Sequence, residues 1–148
     1  MQILRKLFTF SIPTHELITI YIDFIRSVVE QSAVVWHSSL TEENRTDLES
    51  VQKIALRIIL KDEYDNYESA LMKVSLETLD NRRENLCLTF AISCTQNSST
   101  NDMFPLNKPS NIRNQEKYDV QYARTDRFKN TAIPHMQRLL NKFNCKKK

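Results

Sequence analysis

The chain contains no glycine at all and only four prolines in 148 residues. Without glycine, no residue adopts positive φ free of a steric penalty. The close backbone approach to phosphate in a P-loop or a dinucleotide-binding turn is therefore excluded in its usual form. Type I′ hairpins are disfavoured, although asparagine can substitute. What remains is a set of helices joined by Asn- and Ser-rich turns. Cysteine is scarce too. Cys87, Cys94 and Cys145 form an odd number with no CxxC pair, which argues against a usual zinc set. Cys87 and Cys94, seven apart, fall on one helical face and are expected as small apolar core residues. Arg5 and Lys6 lead into only a short apolar stretch, not a secretory signal. A reducing intracellular compartment, cytoplasm or nucleus, is expected. Asp23, Arg26 and Glu30 interrupt the most hydrophobic stretch, which argues against a membrane span.

What is present is ordinary globular composition with a divided charge. Residues 1–107 hold ten Lys and Arg against fifteen Asp and Glu, a net −5. Residues 108–148 hold eleven against three, a net +8. An acidic body with a basic C-terminal segment is a common arrangement for contacting nucleic acid, and a solvated tail has the same composition.

Hydrophobic spacing predicts mostly helices. Ile3, Leu4, Leu7 and Phe8 are helically spaced before Pro13 breaks the run. Thr14 is a candidate N-cap for a helix running to about Trp36, with Glu16 in its first turn. Leu17, Tyr21, Phe24 and Val28 line one face of it and Ile18, Ile22, Ile25 and Val29 the next, so it is expected to be the central buried helix. "WHSSLTEE" (36–43) then reads as a stop and a start in succession, with Thr41 capping the next helix. That helix carries Leu48, Val51, Ala55 and Ile58 on its apolar stripe. After it come an acidic turn (62–66), a short helix (67–74) and a Leu-rich helix capped by Thr78 or Ser75. "TQNSSTND" (95–102) reads as loop, Pro105 and Pro109 keep the chain extended, and Pro134 opens a last helix with Met136, Leu139, Leu140 and Phe143.

Few residues suggest chemistry. Trp36, His37, Ser38 and Ser39 sit side by side, but no acidic residue near in sequence orients His37 and no GxSxG elbow holds either serine. Asp62, Glu63 and Asp65 cluster without EF-hand spacing. His15, His37 and His135 are too isolated to form a metal set by spacing. Two basic features stand out. Lys53, Arg57 and Lys61, spaced by four, form one helix edge, either an ordinary solvated face or a phosphate-contacting one. Arg124, Arg127 and Lys129 are interleaved with Tyr122 and Phe128. Those residues either stack on bases and neutralise phosphates, or belong to an extended segment whose aromatics wrap the helical body.

Several runs resemble one family. "LITIYIDFIRSVVEQSAVVWHSSLTEENRTDLESVQKIALRIIL" (17–60) is similar to the segment after the palm of Jockey-like non-LTR retrotransposon reverse transcriptases. There, a helix ending in Trp precedes a second helix of the form "LERVQKRALRIIL". "LETLDNRRENLCLTF" (76–90) looks like the next family stretch. "YDVQYARTDRFKNTAIPHMQRLLN" (118–141) resembles the C-terminal signature, an Ala-Arg-Thr with an aromatic after it, then Ile-Pro and Leu-Leu-Asn. The resemblance covers roughly residues 2–143 and implies the thumb and post-thumb end of such a polymerase, whose thumb helices grip the template–primer duplex. The chain departs from the family by omission, with no palm, no catalytic aspartate turn, no endonuclease domain and no CCHC knuckle. Ile54 also stands where a basic residue is frequent. The resemblance thus implies no catalysis of its own, and Met1 is expected to mark a truncated gene model or a degraded element copy.

The expectation is an all-α fold of about five helices, three or four packed around residues 17–36. A thumb-like domain (1–96), a polar linker (97–112) and a basic arm with a terminal helix (113–148) make up the chain. The expected core includes Tyr21, Phe24, Val28, Trp36, Val51 and Ile58, with an exposed apolar patch near Leu4, Leu7, Phe8 and the neighbours of Tyr21. The expected function is weak, sequence-independent binding of RNA or DNA through Lys53, Arg57, Lys61, Arg124, Arg127 and Lys129. A palm domain or a second copy is a further expected partner. No cofactor, metal, small-molecule ligand or membrane is expected. The alternative is a helical protein-interaction module that binds no nucleic acid.

Overall fold

A computed structural model describes residues 2–10, 12–108 and 116–146. Eight helices and no strand occur among the described residues, against the five helices expected. The chain divides into two compact units, one built from residues 1–31 and 40–82, the other from 32–39 and 83–148. This is a different line from the 1–96, 97–112 and 113–148 segments read from the sequence. It falls inside the helix Leu79–Gln96.

In the first unit the middle is held by the helix Glu42–Leu60. Thr41 caps it, its Oγ1 accepting from the Asn44 N–H at 3.2 Å, and Glu42 and Glu43 stand in the first turn where the helix dipole favours them. Ala55 and Ile59 pack with Leu4, Leu17 and Tyr21. Leu56 and Leu60, one position further round, pack with Ala70 and Leu71 of the helix Tyr67–Val74. One helix thereby serves two clusters, because adjacent apolar positions widen its stripe.

The helix expected to be central is shorter and more exposed than its sequence suggests. It begins at Thr14 without a side-chain cap, passes through a π-helical stretch at Tyr21–Arg26, and continues as Ser27–Glu30. Leu17 and Tyr21 are buried, but Phe24 and Val28, expected in the core, are each 69% exposed. The physical reason is the wider turn. A 3.6-residue period would keep 17, 21, 24 and 28 on one stripe, and a π-turn rotates the later residues away from it. The helix also stops short of Trp36, since Ser32 takes φ 54° between Glu30 and the short helix Ala33–Trp36. With no glycine available, Ser32 and Ser75 occupy the left-handed region, at a cost of about 1–2 kcal/mol each. The patch expected near Leu4 is also corrected, because Leu4 is fully buried and Leu7 half-buried. The Phe8 side chain lies outside the described residues. Val51, Ile58 and Trp36 are half-buried rather than central.

In the second unit, Cys87, Ala91 and Cys94 of the helix Leu79–Gln96 meet Met136, Leu139 and Leu140 of the helix Ala132–Lys146. Phe104 and Tyr118 complete this core. Cys87 and Cys94 are thus small apolar core residues, and burial pushes the Cys87 thiol up to about 11. Phe104, read as linker, is buried, so the segment between the helices is tied down rather than free. Residues 109–112 of that linker and part of the basic arm lie outside the described residues. The tie is polar. Gln137, fully buried, donates through Nε2 to the Met103 carbonyl and accepts from the Gln121 N–H. Asn141, one turn on, accepts from the Tyr118 N–H at 2.9 Å and donates to the Tyr118 carbonyl at 2.9 Å. Two amides spaced i,i+4 therefore satisfy backbone groups of an irregular segment whose own pairing is one antiparallel bridge, Leu106 to Tyr118. No described helix is long and apolar enough to cross a membrane.

Candidate nucleic-acid interface

The two basic features occupy different units and differ in what surrounds their cations. In the first unit, Lys53 Nζ lies 5.2 Å from the centre of the Tyr67 ring and the Arg57 guanidinium 5.4 Å from that of Tyr64. Each cation is thus drawn to a ring face of its own chain. Lys61 stands exposed where the helix ends, with φ 45°.

Beneath this edge the rings are fixed from the inside. Tyr21 donates its hydroxyl proton to Gln52 Oε1 at 2.7 Å, and Gln52 Nε2 donates to the Tyr67 hydroxyl at 2.9 Å and to the Glu77 carbonyl at 2.9 Å. Tyr67 donates in turn to Glu49 Oε1. Glu49 also accepts from the N–H groups of Leu79 and Asp80, so a carboxylate caps the start of the next helix. Burial holds the Tyr21 phenol well above its ordinary range, and burial with the Glu49 hydrogen bond does the same for Tyr67. An open cleft here is lined by Arg45 and Lys53 but also by Glu42, Glu49 and Asp80, with Arg45 bound to Asp80 at 2.6 Å. This unit carries nine Lys and Arg against thirteen Asp and Glu, a net −4.

The second unit carries twelve against five, a net +7. Arg124, Arg127 and Lys129 are exposed, and among the described residues none of them joins an ion pair. The Tyr122 ring is 90% exposed and Phe128 42%. The segment is nevertheless held at both ends. Upstream, the Gln121 N–H donates to Gln137. Downstream, Thr125 caps the turn Asp126–Lys129, accepting from the Phe128 N–H at 3.3 Å, and Arg138 donates to the Lys129 carbonyl at 2.6 Å. The wrapping alternative, in which these aromatics are buried, does not hold for Tyr122. Tyr118, not Tyr122, is the aromatic that enters the core.

The Trp-His corner is a packed junction in the second unit. His37 is 2% exposed and accepts at Nδ1 from Arg83 Nε at 3.4 Å. The Arg83 guanidinium lies 5.9 Å from the Trp36 ring, and His135 meets His37 edge-on at 5.9 Å. Ser38 is buried and Ser39 exposed. Among the described residues no group of three His, Cys, Asp or Glu is placed to hold a metal ion. Sequence reasoning missed the polar residues that do most of the positioning, namely Glu49, Gln52, Arg83 and Gln137. Only Asn141 carried a signal, as the last residue of the Leu-Leu-Asn run. Compared with protein-family models, curated proteins and solved structures, the chain matches none.

Proposed function

We propose that this chain binds nucleic acid without sequence preference and without catalysing a reaction on it. On this reading it serves as the thumb-like C-terminal part of a retrotransposon RNA-directed DNA polymerase. The observation that carries the reading is the exposed set Arg124, Arg127 and Lys129, three cations without ion-pair partners among the described residues. Such groups gain by neutralising phosphates and releasing counterions, and a contact to phosphate positions without specifying. The similarity of residues 17–60, 76–90 and 118–141 to the Jockey-like reverse transcriptases names the polymerase context. Lys53, Arg57 and Lys61 belong to the same proposal as a second, weaker surface, since their neighbours are acidic and two of the three cations sit on their own rings.

The test is fluorescence anisotropy with a labelled RNA–DNA hybrid bearing a single-stranded overhang, across a salt series. With about four phosphates contacted, log K against log salt falls with a slope near −3 to −4. Changing Arg124, Arg127 and Lys129 together to Ala flattens that slope by about 2 to 3 without favouring any sequence. No binding at low salt by protein shown to be folded removes the proposal. Primer extension with template, metal and nucleotides is expected to give nothing above buffer.

One observation favours a second reading. Phe24 and Val28, one turn apart, are exposed, as is Phe10 at 75%. An apolar face of this kind suits a protein partner, a polymerase palm or another copy, and a chain acting only there would bind no nucleic acid even at low salt.

A further inference from the structure

We infer that the Tyr122–Lys129 surface takes single-stranded nucleic acid, with an unpaired base stacked on Tyr122, in preference to duplex. This rests on the nucleic-acid reading above and names which form of nucleic acid the second unit recognises. The ring of Tyr122 is 90% exposed although the chain on either side of it is fixed. Gln121 is hydrogen-bonded to the buried Gln137 at 3.1 Å, and the turn after Tyr122 is capped by Thr125 and held by Arg138. The ring is therefore presented from an ordered base rather than left over from a loose tail. Arg124, Arg127 and Lys129 follow it within seven residues, with Asp126 the one carboxylate among residues 122–131.

An aromatic ring beside unpaired cations matches both halves of a single strand, whose bases offer free π-faces and whose backbone offers phosphates. In a duplex each base is already stacked on its neighbours, so the ring gains nothing there and only the cations contribute. The first unit supplies the contrast. Its rings at Tyr64 and Tyr67 are half-buried and each has a cation, Arg57 or Lys53, over it, so they offer a base far less open surface than Tyr122 does. An acidic protein segment or an anionic lipid surface would also meet the three cations, but neither carries the planar, unstacked face that an exposed, positioned ring is suited to.

The experiment measures anisotropy of the full chain with a labelled oligonucleotide, single-stranded and annealed to its complement, at one low salt concentration. The single strand is expected to bind about tenfold more tightly than the duplex. Tyr122→Ala lowers single-strand affinity by about tenfold and leaves duplex affinity within about twofold, the loss expected for one base–aromatic stack. Tyr122→Phe keeps the single-strand affinity, because the ring and not the hydroxyl makes the stack. Circular dichroism of both variants should match the parent, since the ring is exposed. Equal affinity for the two forms, or a Tyr122→Ala effect of equal size on both, overturns the inference and leaves the nucleic-acid proposal standing. Failure to bind either form overturns both. Tighter binding to polyglutamate or to anionic vesicles than to the single strand assigns the surface to another class of partner and overturns it as well.

Discussion

Two clusters of three cations and two aromatic rings, one in each unit, differ in how much of their interaction capacity is already used. On the helix Glu42–Leu60, Lys53 and Arg57 rest on Tyr67 and Tyr64, and Tyr67 is tied inward through Glu49 and Gln52. Between Tyr122 and Lys129 the cations and the Tyr122 ring are exposed, while the backbone and the Thr125 hydroxyl are tied. Similar sets of cations and rings thus make a largely satisfied structural edge in one place and an open surface in the other. A basic-aromatic pattern becomes an interface only where its groups are not already satisfied by the fold.

The largest effect is expected from removing the base beneath the open surface. Asn141→Ala leaves the buried Tyr118 N–H without its partner and the Tyr118 carbonyl with only the Asn107 amide, at a cost of about 2–3 kcal/mol. Thermal unfolding monitored by circular dichroism reads this directly. A loss below about 1 kcal/mol would show that the segment is held by its apolar contacts instead.

Tyr67→Phe addresses the closed edge. It removes the bonds to Glu49 and Gln52, costs about 1–3 kcal/mol, and is expected to leave oligonucleotide affinity unchanged. A large drop in affinity with little change in stability would reverse the assignment of the two surfaces. The same edge carries a pH dependence. The Tyr21 and Tyr67 phenols are held above their ordinary value of 10.0, so the folded unit keeps protons that the unfolded chain releases. Stability that is fully present below about pH 10 is therefore lost as pH rises further. Cys87 adds a smaller loss in the second unit, from 9.0 up to about 11. Denaturant midpoints taken across alkaline pH, with and without Tyr67→Phe, test the sign.

Changing Lys53, Arg57 and Lys61 together to Ala is expected to weaken oligonucleotide binding by less than about threefold, far less than the same change at Arg124, Arg127 and Lys129. Equal losses would make the two surfaces equivalent. The smallest effect is expected from Phe24→Ser, within about 0.5 kcal/mol, because the ring is already 69% exposed. A core-sized loss would restore the buried face that the sequence suggests.

Much of the helix pattern was legible because local chemistry dictates it. Thr41 caps the helix that starts after it, as its side-chain oxygen before Glu42 and Glu43 suggests, whereas Asn66, read only as part of an acidic turn, also proves to be a cap. The last helix carries Met136, Leu139 and Leu140 at core spacing and uses them so. The face of residues 14–30 was misread because period counting assumes 3.6 residues per turn throughout, and one π-turn at Tyr21–Arg26 undoes the assumption for Phe24 and Val28. The cations of the candidate site were legible as residue types. Their states were not, because no local rule tells whether Tyr67 or Tyr122 is the ring that a cation covers.

Sequence alone determined that this chain is helical, that its turns rely on Ser and Asn, and that its charge is divided toward the C-terminal end. Those properties depend on backbone propensity, the absence of glycine and simple composition, all of which act over a few residues. Tertiary structure alone decided that Glu42–Leu60 is the central helix of its unit, that Gln52, Gln137 and Asn141 are buried, and that Tyr122 stands in solvent. Those depend on which distant segments meet. A glutamine in a sequence carries no sign of whether its amide will find water or, twenty-five residues away, the carbonyl of Glu77.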